Sequence, residues 1–371
     1  MLLVAEPVLG EAEKSALSEV IDRGWITMGD RVREFEQTFA RLHGVDDCVA
    51  VNSCTAALHL ILQGLGIGQG DEVLVPSMTF VATINCVLYV GATPVFVDVE
   101  SLQTPLMSID DAAAKCTPKT KAVIVMHYAG YLSDRETWRN FAEERGLFLI
   151  EDSAHAVGTE GAGTYGDAAA FSFYGNKNMT TAEGGIVIAR DKELLRTIRQ
   201  LRGHGMTSGT LERLTSRSPT YDVTMLGYNY RMDELRAAVG IIQLQKLQAW
   251  NEKRKFLSDL YKAILPDVCP TVTVPFRGWN ASSSHHIMPI VLPREHDRQS
   301  VISHLKDANI QTTIHYPPAH RLSLYQNLFP SVKLEKTEEF SQRELTLPLH
   351  PMMGEDDVSR VVAALGRALA H

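Results

Sequence analysis

A chain of 371 residues, 45% of them hydrophobic, is long enough to bury a large core and, at about 150 residues per domain, to divide into two. Its 36 Lys and Arg against 44 Asp and Glu leave a net charge of −8 with no basic run, which argues against binding to a nucleic-acid backbone. The five cysteines (Cys48, Cys54, Cys86, Cys116, Cys269) form no CxxC pair, the N-terminus has no basic start, and no apolar run reaches the roughly 18 residues of a membrane span. Neither a disulfide framework nor a metal site nor a membrane segment is expected, and the chain is expected to stay in the cytoplasm.

After an N-terminal helix, short β-branched runs alternate with helical stretches from residue 48 to about 190: EVLVP, TPVFVDVE, KAVIVMH, LFLIED, DAAAFSFY and GGIVIAR. This rhythm predicts an α/β domain with a mainly parallel central sheet. AALHLILQGLG (56–66) and DRETWRNFAEERG (134–146) read as crossover helices, the second closing on a glycine suited to a C-cap. RMDELRAAVGIIQLQKLQAWNEKRKFLSDLYK (231–262) reads as one long amphipathic helix, and beyond Pro266 the pattern changes to isolated strands and helices. SHHIMPIVLP, QSVISHLKDANI and DDVSRVVAALGRALA predict a strand, a helix and a terminal helix of a small α+β domain. The expected division is a large domain over 1–250 and a small one over 251–371.

Ligands of open α/β sheets gather at the carboxyl ends of the strands, and three positions there carry information. Asn52, Ser53, Cys54 and Thr55 open the helix at Ala56, where free N–H groups favour an anion, although an ordinary N-cap looks the same. Asp152 ends LFLIED, either as a turn residue or as a buried carboxylate that needs a positive partner. Lys177 lies in SFYGNKNMTTAEGG with no acid before Glu183, either an exposed loop lysine or one kept for chemistry. A phosphate cradle, a carboxylate and a lysine together match the needs of pyridoxal phosphate held as a Schiff base.

The sequence resembles the DegT/DnrJ/StrS aminotransferases, which act largely on nucleotide-linked keto sugars and have the fold type I architecture. The resemblance runs from GWITMGDRVREFEQTFA (24–40) through residues 51–100, IEDSAHAVGT (150–159), GDAAAFSFYGNKNMTTAEGG (166–185) and GYNYRMDELRAAVGIIQLQKL (227–247) to IHYPP (314–318). It implies that Lys177 is the Schiff-base lysine and that Asp152 pairs with the pyridinium nitrogen. Ser172 matches the serine that reaches the cofactor phosphate, and Thr55 with the Ala56 amide matches the phosphate turn, here Ser53-Cys54-Thr55 where the family often has Ser-Gly-Thr. Phe80 matches the aromatic ring that stacks on the cofactor, and His155 the residue packed beside that ring. Asn229 matches an asparagine donated by the neighbouring subunit, which implies a homodimer with shared active sites. Trp25, Thr27, Arg231 and Tyr316 are candidate substrate contacts, Arg231 being equally readable as a structural arginine.

What the resemblance implies is a ping-pong transamination, with pyridoxal and pyridoxamine phosphate alternating, L-glutamate as donor and a nucleotide-linked keto-deoxysugar as acceptor. Three other readings compete. Dehydratases of the family replace the lysine by histidine, so Lys177 argues against that branch. An aminotransferase of a cyclitol or another ketone without a nucleotide differs only in loops. A cofactor-binding regulator has no need of both Lys177 and Asp152.

Overall fold

The computed structural model describes residues 1–209, 213 and 220–370. The apolar runs of the first half become β1 (Val49–Val51), β2 (Glu72–Pro76), β3 (Thr93–Val97), β4 (Thr120–Met126), β5 (Phe148–Asp152), β6 (Ala168–Ser172) and β7 (Gly185–Ala189). They form one sheet in the order β1-β7-β6-β5-β4-β2-β3, in which only β7 runs against its neighbours. Strands buried on both faces need no polar alternation, which is why they read as continuous apolar runs. A separate antiparallel pair, β8 (Met288–Val291) and β9 (Glu344–Leu347), belongs to the C-terminal part.

The sheet is flanked by α1 (Glu11–Arg23), α2 (Asp30–Leu42), α3 (Cys54–Gly64), α4 (Ala82–Tyr89), α5 (Ile109–Lys115), α6 (Arg135–Arg145) and α7 (Lys192–Leu201). Then follow α8 (Glu234–Val268), α9 (Arg298–Asp307), α10 (Ser323–Leu328), α11 (Glu335–Arg343) and α12 (Glu355–Ala368). Local chemistry sets the ends of α6: Asp134 accepts from the Thr137 N–H at 2.7 Å, and Gly146 closes the helix at φ 63°. At α2 the cap comes from far along the chain. The buried Glu234 carboxylate accepts from the N–H groups of Gly29, Arg31 and Val32, a negative charge set against the positive end of the helix.

The long helix expected at 231–262 extends to Val268 and carries Pro266 in its last turn. It passes residue 250 unbroken and serves two cores. Up to Leu247 its apolar residues pack with Phe35, Phe39 and Phe171 below the sheet, and from Leu257 they pack with β8, β9 and α12. Packing after residue 250 does not stay in one block either, because Ala319, Tyr325 and Leu334 join the cluster around α3 and the large sheet. Among the described residues no helix is long and apolar enough to cross a membrane.

Candidate active site

β5 delivers Asp152 to the carboxyl edge of the sheet, where it is buried. Its Oδ2 accepts from the Thr83 hydroxyl at 2.7 Å and its Oδ1 from the Ala154 N–H at 3.2 Å. Thr83 is in turn bonded to Thr79 at 2.7 Å, so the carboxylate is fixed from α4. Burial raises its pKa, against the opposing pull of those hydrogen bonds and of the Lys177 charge. It makes no ion pair among the described residues and is thus a buried acid short of a cation.

Lys177 lies in the β6–β7 connection, half-buried, its N–H turned back onto the Tyr174 carbonyl at 3.0 Å. The loop is anchored to α8: Thr180 N–H donates to Gln243, and Asn178 Nδ2 donates to Asn251 Oδ1 at 2.7 Å and to the Ser284 carbonyl at 2.8 Å. The amine itself makes no side-chain hydrogen bond among the described residues. Loss of hydration lowers its pKa to about 8, with Asp152 pulling the other way. An amine that is neutral in an appreciable fraction near neutral pH is a usable nucleophile and base.

Three imidazoles line the opposite side. His155 accepts the Ala129 N–H on Nδ1 at 3.2 Å, which places its proton on Nε2, facing the Tyr316 hydroxyl at 2.8 Å. His286 sits 4.2 Å from His155 between ring centroids and holds Asn178 Oδ1 with Nδ1 at 2.8 Å. His315 lies 6.3 Å from the His155 ring. Burial first, and then the Lys177 charge, holds all three neutral, His315 down to about 3. Tyr316 is kept protonated by burial.

The remaining expected positions divide. Ser172 ends β6 and is buried beside the lysine loop. Phe80 is 57% exposed and touches only Tyr316 among aromatic rings, 6.2 Å away, leaving a face free for a planar ligand. At the turn before α3, Ser53 Oγ accepts the Ala56 N–H at 3.1 Å, so Ala56 is spent on the cap. The Cys54 and Thr55 N–H groups, which have no acceptor within the helix, are the ones left for an anion. Gly185 permits this turn: a Cβ there would meet the Cys54 nitrogen at 2.7 Å.

Asn229 has an exposed side chain, and its carbonyl accepts from Asn52 Nδ2 of its own chain at 3.4 Å. Arg231 and Thr27 line a different space, a cavity of about 720 Å³ shared with Arg33, Arg196, Arg199 and Arg202, and neither Lys177 nor Asp152 reaches it. Trp25 packs instead against Gly29, where a Cβ would meet its Nε1 at 2.6 Å. Sequence reasoning passed over Thr83, His286 and His315. His286 and His315 stand inside SHHIMPIVLP and IHYPP, and Thr83 in the first turn of α4 within the matched stretch 51–100.

A buried acid without an ion-pair partner among the described residues, an aromatic face left open, a lysine of lowered pKa and free amides at a helix start fit a phosphorylated, protonatable ring aldehyde. This sheet order is that of a fold type I aminotransferase. A family model described as the DegT/DnrJ/EryC1/StrS aminotransferase family matches residues 7–366, and the chain belongs to that family. It is a pyridoxal-phosphate-dependent aminotransferase. Its fold is similar to that of PseC from Helicobacter pylori, an aminotransferase involved in the biosynthesis of pseudoaminic acid (TM-score 0.93, 28% identity, 100% of this chain and 99% of that one). The aminotransferase TlmJ from Streptoalloteichus hindustanus gives a TM-score of 0.92 at 33% identity, covering 100% of this chain and 99% of that one. NtdA from Bacillus subtilis, solved with bound PMP, gives 0.88 at 29% identity over 97% of this chain and 82% of that one.

Proposed function

We propose that this aminotransferase moves the amino group of an amino acid, L-glutamate, onto a nucleotide-linked keto-deoxysugar in a ping-pong cycle, with Lys177 and Asp152 as its catalytic residues. The observation that carries the reading is the half-buried Lys177, with a pKa near 8, whose charge acts on a buried Asp152 that makes no ion pair among the described residues. When bound, pyridoxal phosphate supplies the carbon that takes the amino group and a protonated ring that stores the electron pair released at the donor Cα. The Lys177 amine would take and hold the proton released at the donor Cα and later give it back as an acid. The Asp152 carboxylate, fixed by Thr83, would hold a proton at the ring nitrogen, and Ser172 with the Cys54 and Thr55 amides would hold the phosphate. His155 and Tyr316, with their donor and acceptor roles fixed by Ala129, would flank the ring, and Phe80 would cover its face.

Support for a nucleotide on the acceptor comes from the arginine-lined cavity. Arg231 makes no ion pair among the described residues, and burial followed by the charge of Arg202 depresses its pKa, the condition of a guanidinium that lacks an anion. A diphosphate satisfies such a group. Purified protein, L-glutamate and a panel of nucleotide-linked keto sugars should yield 2-oxoglutarate and an amino sugar detectable by mass. Turnover of a free cyclic ketone, with none on any nucleotide-linked sugar, would replace this reading by the nucleotide-free one.

The proposal includes a homodimer in which Asn229 reaches the phosphate site of the neighbouring chain. Its exposed amide, without a hydrogen bond among the described residues, supports this, although its carbonyl accepts from its own chain's Asn52. Mixing an inactive Lys177→Ala chain with an inactive Asn229→Asp chain should restore about half the activity of one wild-type dimer, because one of the two shared sites then carries neither defect. Proven mixed dimers without recovery would assign Asn229 to its own site.

A further inference from the structure

We propose that His315 is a second proton-exchanging residue of this site, with Nε2 acting on an oxygen of the keto substrate and the buried Glu344, reached through the Thr346 hydroxyl, holding the resulting charge. The geometry follows from strand register. Thr313 pairs with Thr346 through both backbone hydrogen bonds, at 2.8 and 3.3 Å, which sets residue 315 across from residue 344. Side chains two apart share a face of a strand, so Glu344 and Thr346 both point to the histidine. Glu344 Oε2 accepts the His315 backbone N–H at 2.9 Å, its Oε1 meets Thr346 Oγ1 at 2.5 Å, and Thr346 Oγ1 meets His315 Nδ1 at 2.9 Å. Glu344 and Thr346 are fully buried, whereas His315 is half-buried and its Nε2 has no hydrogen-bond partner among the described residues. An unbroken chain of three exchangeable protons thus ends on the free nitrogen of a ring that lies beside His155 and feels the Lys177 charge.

The chain has two states of equal hydrogen bonding. With Glu344 protonated, its O–H donates to Thr346, Thr346 donates to His315 Nδ1, and Nε2 carries the ring proton. When Nε2–H gives that proton to substrate oxygen, the Thr346 O–H bond breaks as Nδ1–H forms, and the Glu344 O–H bond breaks as the Thr346 O–H re-forms. One proton leaves, the negative charge rests on Glu344, and the imidazole is neutral before and after. A ketone that exchanges its oxygen for nitrogen must release that oxygen as water, and water release consumes protons. The relay supplies one at a place the imidazolium cannot occupy, since burial holds His315 far below its ordinary pKa.

The electrostatics agree. Burial raises Glu344 to about 8, against hydrogen bonds from Thr346 and His315 and the charge of Arg298 on α9, so both states are accessible near neutral pH. The other groups facing the relay are Tyr128, whose hydroxyl donates to the His315 carbonyl at 2.6 Å, and Tyr316, both kept protonated by burial, with His155 and Lys177 on the open side.

The substrate assignment rests on the proposed aminotransferase reading, but the relay can be tested without substrate or cofactor. In apo protein with nitrogen-15-labelled histidine, the His315 signals should switch from the Nε2–H to the Nδ1–H tautomer as pH rises through about 8, with no imidazolium form in that range. Glu344→Gln, whose amide donates to Thr346 at every pH, should hold the Nε2–H tautomer throughout. Thr346→Val should abolish the switch and Thr346→Ser should keep it. In loaded enzyme, Glu344→Gln and Thr346→Val should lower kcat by about 10²-fold and remove the limb of the pH profile near 8, with Thr346→Ser retaining both. A wild-type His315 that keeps one tautomer from about pH 6 to about pH 10, or a switch untouched by Glu344→Gln, would overturn the relay. A switch that behaves as described with unchanged kcat in the variants would overturn its catalytic role.

Discussion

Lys177→Ala protein is expected to fold, to bind pyridoxal phosphate only reversibly, and to lose turnover by at least about 10³-fold, the range of a missing general acid–base group compounded by a missing nucleophile. The wild-type protein should be yellow, and borohydride should fix the cofactor to residue 177 alone. Lys177→Arg should be as inactive as the alanine variant, because a guanidinium stays protonated at any working pH. For wild type, the lowered pKa has a definite sign: the neutral amine gains population as pH rises toward about 8, so the donor half-reaction should accelerate over that range and level off above it. Covalent fixation elsewhere, or near wild-type turnover in the alanine variant, would remove Lys177 from the mechanism.

Asp152→Asn keeps the shape of the group and removes its charge. Thr83 can rotate to accept from the new amide while donating to Thr79, so the local network survives. Turnover should fall by about 10²–10³-fold, as for loss of one preorganised electrostatic group. Stability should move the other way. A carboxyl whose pKa burial has raised binds its proton more tightly when folded, so this group costs stability as pH climbs above the ordinary carboxylate value. The apo variant should therefore melt at or above wild type at neutral pH and show no advantage in acid. Equal loss of activity and stability would mean that Asp152 serves the fold and not the ring nitrogen.

Strands β2 to β7 were legible because burial on both faces leaves an uninterrupted apolar run, and α6 was legible because Asp134 and Gly146 mark its ends. Asp152 stood out as a charged residue where an apolar strand ends, and Lys177 as a loop lysine with no acid before Glu183. The role of Ala56 was not legible, because whether Ser53 or a ligand takes its N–H depends on a rotamer. Nor was the sharing of α8 between two cores, since amphipathic spacing gives a face and not the neighbour it meets.

What the sequence determined by itself was the apolar runs of β2 to β7, the ends of α6 and the charged residues that follow apolar strands, because periodicity, capping and the desolvation of a lone charge act within a few residues. The tertiary structure alone decided which nitrogen of each histidine is free. His155 takes its tautomer from Ala129 and Tyr316, His286 from Asn178, and His315 from Thr346 and Glu344, partners 26 to 161 residues away. A hydrogen bond needs its two atoms within about 3 Å, and over such separations only the packed chain brings them there.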